Sequence, residues 1–121
     1  MQDISLGVVE SRFADIIWAN APLPSSELVK LAEGSLGWKK STTYTVLKRL
    51  CDKGIFENAG GSVSVKISRD EFYALQSQQF VENTFQGSLP AFLAAFTNGK
   101  KLSAQEVAQL RQMVQSFEEG I

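Results

Sequence analysis

The sequence predicts a mainly α fold with a small β-hairpin, an α+β class, and the order of its periodic segments is what predicts it. Stretches of helical apolar spacing fill the chain up to Gly54. A period-two segment follows, in which Val63, Val65 and Ile67 alternate with Ser64, Lys66 and Ser68 after an Ala59-Gly60-Gly61-Ser62 turn. The last third returns to helical spacing and is rich in Phe and Leu.

The first helix starts at Gly7, an acceptable N-cap with Glu10 three residues on. Val9, Phe13, Ile16 and Ile17 make its apolar stripe, with Trp18 near the end. Ala21-Pro22-Leu23-Pro24 stops it and has the composition of a very short extended segment. Ser25 is expected to cap the second helix, whose buried set is Leu28, Val29, Leu31 and Ala32, and Gly34-Ser35-Leu36-Gly37 is expected to break it. The third helix runs from about Lys40 to Lys53 on an apolar stripe of Val46, Leu47 and Leu50. Gly54 then stands where a helix most often takes a left-handed residue. A short glycine-containing turn between the second and third helices is the order of a helix-turn-helix unit. A hairpin placed directly after it is a wing, so residues 1–72 read as a winged helix-turn-helix domain.

Residues 73–121 read as a helical dimerisation region. Ser68-Arg69-Asp70-Glu71 is a capping box opening a fourth helix that runs to about Phe85. Gly87-Ser88 separates it from a fifth helix, about Leu89 to Thr97. A sixth follows Leu102-Ser103-Ala104-Gln105-Glu106-Val107, which is both a capping box and a hydrophobic staple. Five of the eight phenylalanines fall within residues 80–121. Burying one Phe side chain is worth roughly 1.5–3 kcal/mol, and a segment this short does not normally build a core of its own. These helices could fold back on the winged helix or pair with the same segment of a second chain; pairing is favoured, through Phe80, Phe85, Leu89, Phe92, Leu93, Phe96, Val107, Leu110, Val114 and Phe117. A homodimer is the usual way for a single-helix reader to contact two half-sites.

The stretch Trp38 to Gly54 carries the functional signal. It holds five cations, Lys39, Lys40, Lys48, Arg49 and Lys53, against the single anion Asp52. Residues 1–72 as a whole carry nine basic and nine acidic side chains, so the positive charge is concentrated there. Ser41, Thr42, Tyr44, Thr45, Lys48 and Arg49 fall on the side away from the apolar stripe. Hydroxyls and cations together suit phosphates and base edges. The expected contacts to double-stranded DNA are therefore Lys39, Lys40, Ser41, Thr42, Tyr44, Thr45, Lys48 and Arg49, with Lys66 from the wing. A solvated amphipathic helix has the same pattern, and a winged-helix protein–protein adaptor that does not bind DNA is the alternative function. The basic hydroxyl run favours DNA.

Other classes are disfavoured by composition. The chain has 121 residues, a net charge of −1, one cysteine and no histidine. One Cys without a His builds neither an intrachain disulfide nor a tetrahedral Cys/His zinc site within one chain, and with no paired carboxylates in a convincing pocket no nucleophile can be placed beside a base. No catalytic residue, metal or cofactor is expected. The absence of a long apolar run and of a secretory leader points to a cytoplasmic protein that does not enter the membrane. Cys51 reads as a core filler, and Trp18 and Trp38 as packing anchors.

The motifs Ile16-Ile17-Trp18, Trp38-x-x-x-Thr42-x-x-Thr45-x-x-x-Arg49-Leu50, Lys53-Gly54 and Leu102-Ser103-x-x-Glu106 resemble, in type and spacing, the penicillinase-repressor family of winged-helix transcriptional regulators. The resemblance covers nearly the whole chain. It implies a homodimeric repressor of a palindromic operator, with C-terminal helices interleaved between subunits and with Thr42 and Thr45 facing the DNA. It also implies inactivation by a cut in the fifth helix, triggered by a membrane-bound sensor protease. Relatives carry Asn-Phe at that point, and the aligned pair here is Ala95-Phe96. The Gly60-Gly61-Ser62 wing lacks the basic residues that relatives often carry there, and the C-terminal Cys cluster of the copper-responsive branch is absent.

Overall fold

The computed structural model of the protein describes residues 6–120. Its order is α1 (Val8–Asn20), β1 (Leu23–Pro24), α2 (Ser25–Leu36), α3 (Lys40–Asp52), β2 (Phe56–Ala59), β3 (Ser62–Val65), α4 (Arg69–Phe85), α5 (Leu89–Phe96) and α6 (Ala104–Glu119). The mainly helical α+β class expected from the sequence is the one observed. The chain divides into two compact units, up to residue 79 and from residue 80.

In the first unit the core is built by Phe13, Ala14 and Ile17 of α1, Leu28 and Ala32 of α2, Val46, Leu47 and Leu50 of α3, and Ile55, Phe56, Val63 and Phe72. One member of the expected α1 stripe lies outside the core. Val9 is about half exposed and Ala14 takes its place in the core, while Leu75 of α4 is also largely exposed. Trp38 stacks on Phe13 with ring centroids 4.9 Å apart, just before α3 begins. Trp18 packs against Phe56, Phe72 and Tyr73 and donates its indole N–H to Ile67 O at 3.0 Å. That bond ties the end of α1 to the segment leaving the hairpin.

The hairpin has the tightest connection a β-ribbon allows. Ala59 pairs with Ser62 across the two-residue Gly60-Gly61 loop. Both glycines have positive φ, 60° and 80°, as a primed hairpin turn requires and as residues with a Cβ resist. The sheet holds one strand more than the expected hairpin. Leu23 pairs with Val63 and Pro24 with Ser62, giving the order β1-β3-β2. The short extended segment before α2 thus closes one edge of the wing.

Two helix ends differ from the expectation. Gly34 and Ser35 do not break α2, which continues to Leu36 and stops at Gly37, φ +68°. One glycine inside a helix costs only about 1 kcal/mol, whereas the left-handed Gly37 reverses the chain. Ser25 is not the cap of α2 but its first helical residue, and Pro24 occupies the cap position. At α4, Ser68 Oγ accepts from Glu71 N–H at 3.2 Å.

The second unit begins within α4. Phe80, Phe85, Phe92 and Phe96 form a ring cluster with neighbouring centroids 5.6–6.0 Å apart. Ser88 caps α5 by accepting from Ala91 N–H. Ser103 and Glu106 form the full reciprocal capping box of α6, with both bonds at 3.0 Å. The Ser103 N–H first, and its hydroxyl second, hold the Glu106 carboxyl below its ordinary pKa. Neither α5 nor α6 has a buried residue. Large apolar side chains are left exposed, from Leu93 at 38% to Phe117 at 62%.

Candidate nucleic-acid interface

The helix α3 is anchored on one side only. Thr43, Val46, Leu47 and Leu50 are buried, and the buried Thr43 hydroxyl is satisfied by Lys39 O at 3.2 Å. A residue four positions on lies nearly above its predecessor, so Ser41, Thr45, Lys48 and Asp52 form the opposite ridge, and all four are exposed. Lys40 begins the helix, and Lys39 precedes it as its N-cap. Both are exposed, and among the described residues neither forms an ion pair.

Within this face the side chains are not equivalent. Thr45 donates its hydroxyl hydrogen to Ser41 O at 2.9 Å, leaving its methyl group and oxygen lone pairs for a partner. Lys48 pairs with Asp52 at 3.1 Å across one turn, with both side chains well exposed. Such a surface pair contributes little to stability. Thr42 and Arg49 lie on the flank nearer α1. The Arg49 guanidinium is 3.6 Å from Glu10 of α1, whose carboxylate oxygen is shielded and otherwise without a hydrogen-bond partner.

Tyr44 lies on the other flank and is half-buried. Its hydroxyl is 3.1 Å from Ser25 Oγ at the start of α2. With Leu47, Lys48, Cys51 and Asn58 it lines a shallow cleft between α3 and β2. Burial pushes the Cys51 thiol above its ordinary pKa, and the Asn58 N–H only partly offsets it. That protonation state suits a packing residue better than a nucleophile. Lys66 stands beyond the end of β3, where its N–H bonds to Ile55 O. It is exposed at the base of the hairpin, and the Gly60-Gly61 tip carries no cation. Ser25 was not among the site residues expected from the sequence. A proline directly before a serine is the signal that could have suggested a first-turn position, since proline favours helix starts.

Among the described residues no three His, Cys, Asp or Glu side chains group as a metal site would need. No helix among them is long and apolar enough to cross a membrane.

The chain is similar to known proteins over most of its length. The sequence model of the penicillinase repressor family matches residues 6–116, which takes in every element up to most of α6. The penicillinase repressor of Bacillus licheniformis is 25% identical over 104 residues, covering 83% of this chain and 81% of that protein. The match therefore spans both the unit that holds α3 and the unit with the exposed apolar helices, and the chain belongs to the penicillinase repressor family, a family of regulators rather than enzymes.

Proposed function

We propose that the chain is a dimeric transcriptional repressor that binds a palindromic operator in double-stranded DNA. The observation that carries this reading is the outward ridge of α3, with Ser41, Thr45 and Lys48 exposed over the buried Thr43, Val46, Leu47 and Leu50. In the major groove, Ser41, Thr42 and Thr45 meet base edges. Lys39, Lys40 and Lys48 meet phosphates, and Lys66 approaches the backbone from the hairpin base. Arg49 stays within reach of a phosphate from its place beside Glu10. Binding of a randomised DNA pool, followed by recovery of the retained sequences, tests this. Retention of a palindrome with half-sites about 34–36 Å apart, or a multiple, is the expected result. The absence of saturable, salt-sensitive binding to any DNA overturns it and favours the adaptor.

Pairing of two subunits through residues from 80 onward completes the reading. Leu102, Val107, Leu110 and Val114 line an apolar groove of about 630 Å³ along α6, with Arg111 and Glu118 at its margin. Exposed Phe117 and Met113 extend the apolar surface. Val114→Asp or Phe117→Asp alters a residue more than half exposed in the single chain, so each variant folds and sediments as a monomer. A dimer that survives both changes places the interface elsewhere.

Loss of the second subunit is then how repression ends. One half-site reader on its own binds near the non-specific range, about 10⁻⁴–10⁻⁶ M, whereas specific complexes reach roughly 10⁻⁸–10⁻¹¹ M. Tethering two readers supplies about 10²–10⁴ of that difference. A cut between Ala95 and Phe96, in the last turn of α5, detaches α6 and its apolar groove. A membrane-bound sensor protease is the partner that fits such a step. A chain truncated after Ala95 is expected to be monomeric and to bind operator at least a hundredfold more weakly.

A further inference from the structure

We infer that Ser25 and Tyr44 are positioning residues, which set the spacing between the recognition helix and the wing. The inference rests on the reading of α3 as the DNA-facing element.

The two residues join three parts of the first unit. Tyr44 leaves the flank of α3 half-buried, and its hydroxyl lies 3.1 Å from Ser25 Oγ, with either group able to donate. Ser25 is the first residue of α2. Its backbone N–H, one of the first-turn donors that a helix itself leaves unpaired, is taken by Gly61 O at 2.8 Å. Gly61 is the second residue of the hairpin turn, and the adjacent Pro24 pairs with Ser62 on β3. A hydrogen-bonded path therefore runs from the recognition helix, through one serine, to the tip of the wing.

The chemistry of the two groups suits this use. Serine at the first helical position bonds in two directions at once, through its hydroxyl and its N–H. The phenol is rigid beyond its second torsion, so its hydroxyl fixes a distance where a lysine or glutamine would not. The wing turn carries two glycines and no cation to hold it against a phosphate, so its position relative to α3 comes from within the protein. Tyr44 thereby acts through Ser25 and not through a base.

The test compares wild type, Tyr44→Phe, Ser25→Ala, the double variant and Ser25→Thr, all as the full chain. Without DNA, amide exchange at Ser25 N–H and through the Gly60-Gly61 turn is followed by NMR. Faster exchange in Tyr44→Phe supports coupling from α3 to the wing, and unchanged exchange overturns it. With the selected operator, Tyr44→Phe and Ser25→Ala each lower affinity roughly three- to tenfold, the size of one lost hydrogen bond. Affinity for unrelated DNA and the salt slope stay as in the wild type, because no phosphate contact is lost. The double variant loses no more than either single one, and Ser25→Thr restores binding. Additive losses, a change of preference at one base in Tyr44→Phe alone, or a lowered salt slope mean that Tyr44 contacts DNA directly and overturn the inference. If the wild-type chain retains no DNA, the repressor reading itself fails; the exchange data, read without DNA, keep that result separate.

Discussion

Thr45 illustrates how the side chains of α3 divide their groups between the fold and a partner. Its hydroxyl donates to Ser41 O within the helix, so the methyl group is its most available feature. A Thr methyl suits the methyl of thymine, and one buried methyl is worth about 0.8 kcal/mol, roughly fourfold in affinity. Thr45→Val should therefore retain the base preference that Thr45→Ser relaxes, as read by competition among operators differing at single positions. Lys40→Ala should act differently, weakening binding on all sequences and lowering the salt slope by about one. Lys48 is shared with Asp52 at 3.1 Å. Asp52→Asn should accordingly strengthen binding on every sequence, because the ammonium no longer leaves a carboxylate to reach a phosphate. Cys51 lies beside this face with its thiol raised by burial. Its alkylation near pH 8 should be slower in the native chain than after unfolding, since the thiolate is the reacting form.

At the scale of elements, the caps are where pH enters. Glu106 closes the capping box of α6, and the Ser103 N–H and hydroxyl hold its carboxyl below the ordinary range. A carboxyl lowered by folding contributes stability that is present above its unfolded pKa. That contribution is lost as pH falls through the lower, folded value. Acidification should therefore fray the start of α6, seen as lower protection of the Glu106 and Val107 amides relative to their intrinsic exchange rates at each pH. Glu106→Gln keeps the box geometry without the charge and should remove this pH dependence. Ser103→Ala should cost about 1 kcal/mol of helix stability at neutral pH. In the first unit the sensitive element is α1. Phe13 is fully buried and stacks on Trp38, so Phe13→Ala should destabilise by about 3–5 kcal/mol in denaturant unfolding.

For the whole molecule, the contrast between its two units carries the consequence. The first has a closed core with fully buried Phe13, Ile17, Leu28, Leu50, Ile55 and Val63. The second leaves α5 and α6 without a buried residue and half or more of Phe80, Leu89, Met113, Val114 and Phe117 in solvent. Burying such a face adds to stability in proportion to the apolar area removed from water. Thermal stability should therefore rise with protein concentration, as linkage to association demands. The unfolding midpoint of Phe117→Asp should be both lower and independent of concentration, measured by calorimetry over a hundredfold range.

Much of this was legible in the chain because local chemistry decided it. The stripe of Val46, Leu47 and Leu50, the glycines at 54, 60 and 61, and the Ser103/Glu106 box act within a few residues of themselves. Their outcome depends on spacing and on backbone freedom that a sequence states directly. The hydroxyl-rich, basic run of α3 was readable for the same reason, since its composition belongs to one helix. What only the tertiary structure decided are pairings between residues far apart in sequence. Ser25 looked like a cap by type; that its N–H meets Gly61 and its hydroxyl meets Tyr44 depends on how α2, α3 and the hairpin pack. The third strand at Leu23–Pro24 depends on β3 coming alongside it. The direction of Arg49 depends on Glu10, 39 positions earlier, standing 3.6 Å away. A hydrogen bond or ion pair forms only within a few ångströms, and the chain meets that condition through its packed core, which no short window of sequence contains.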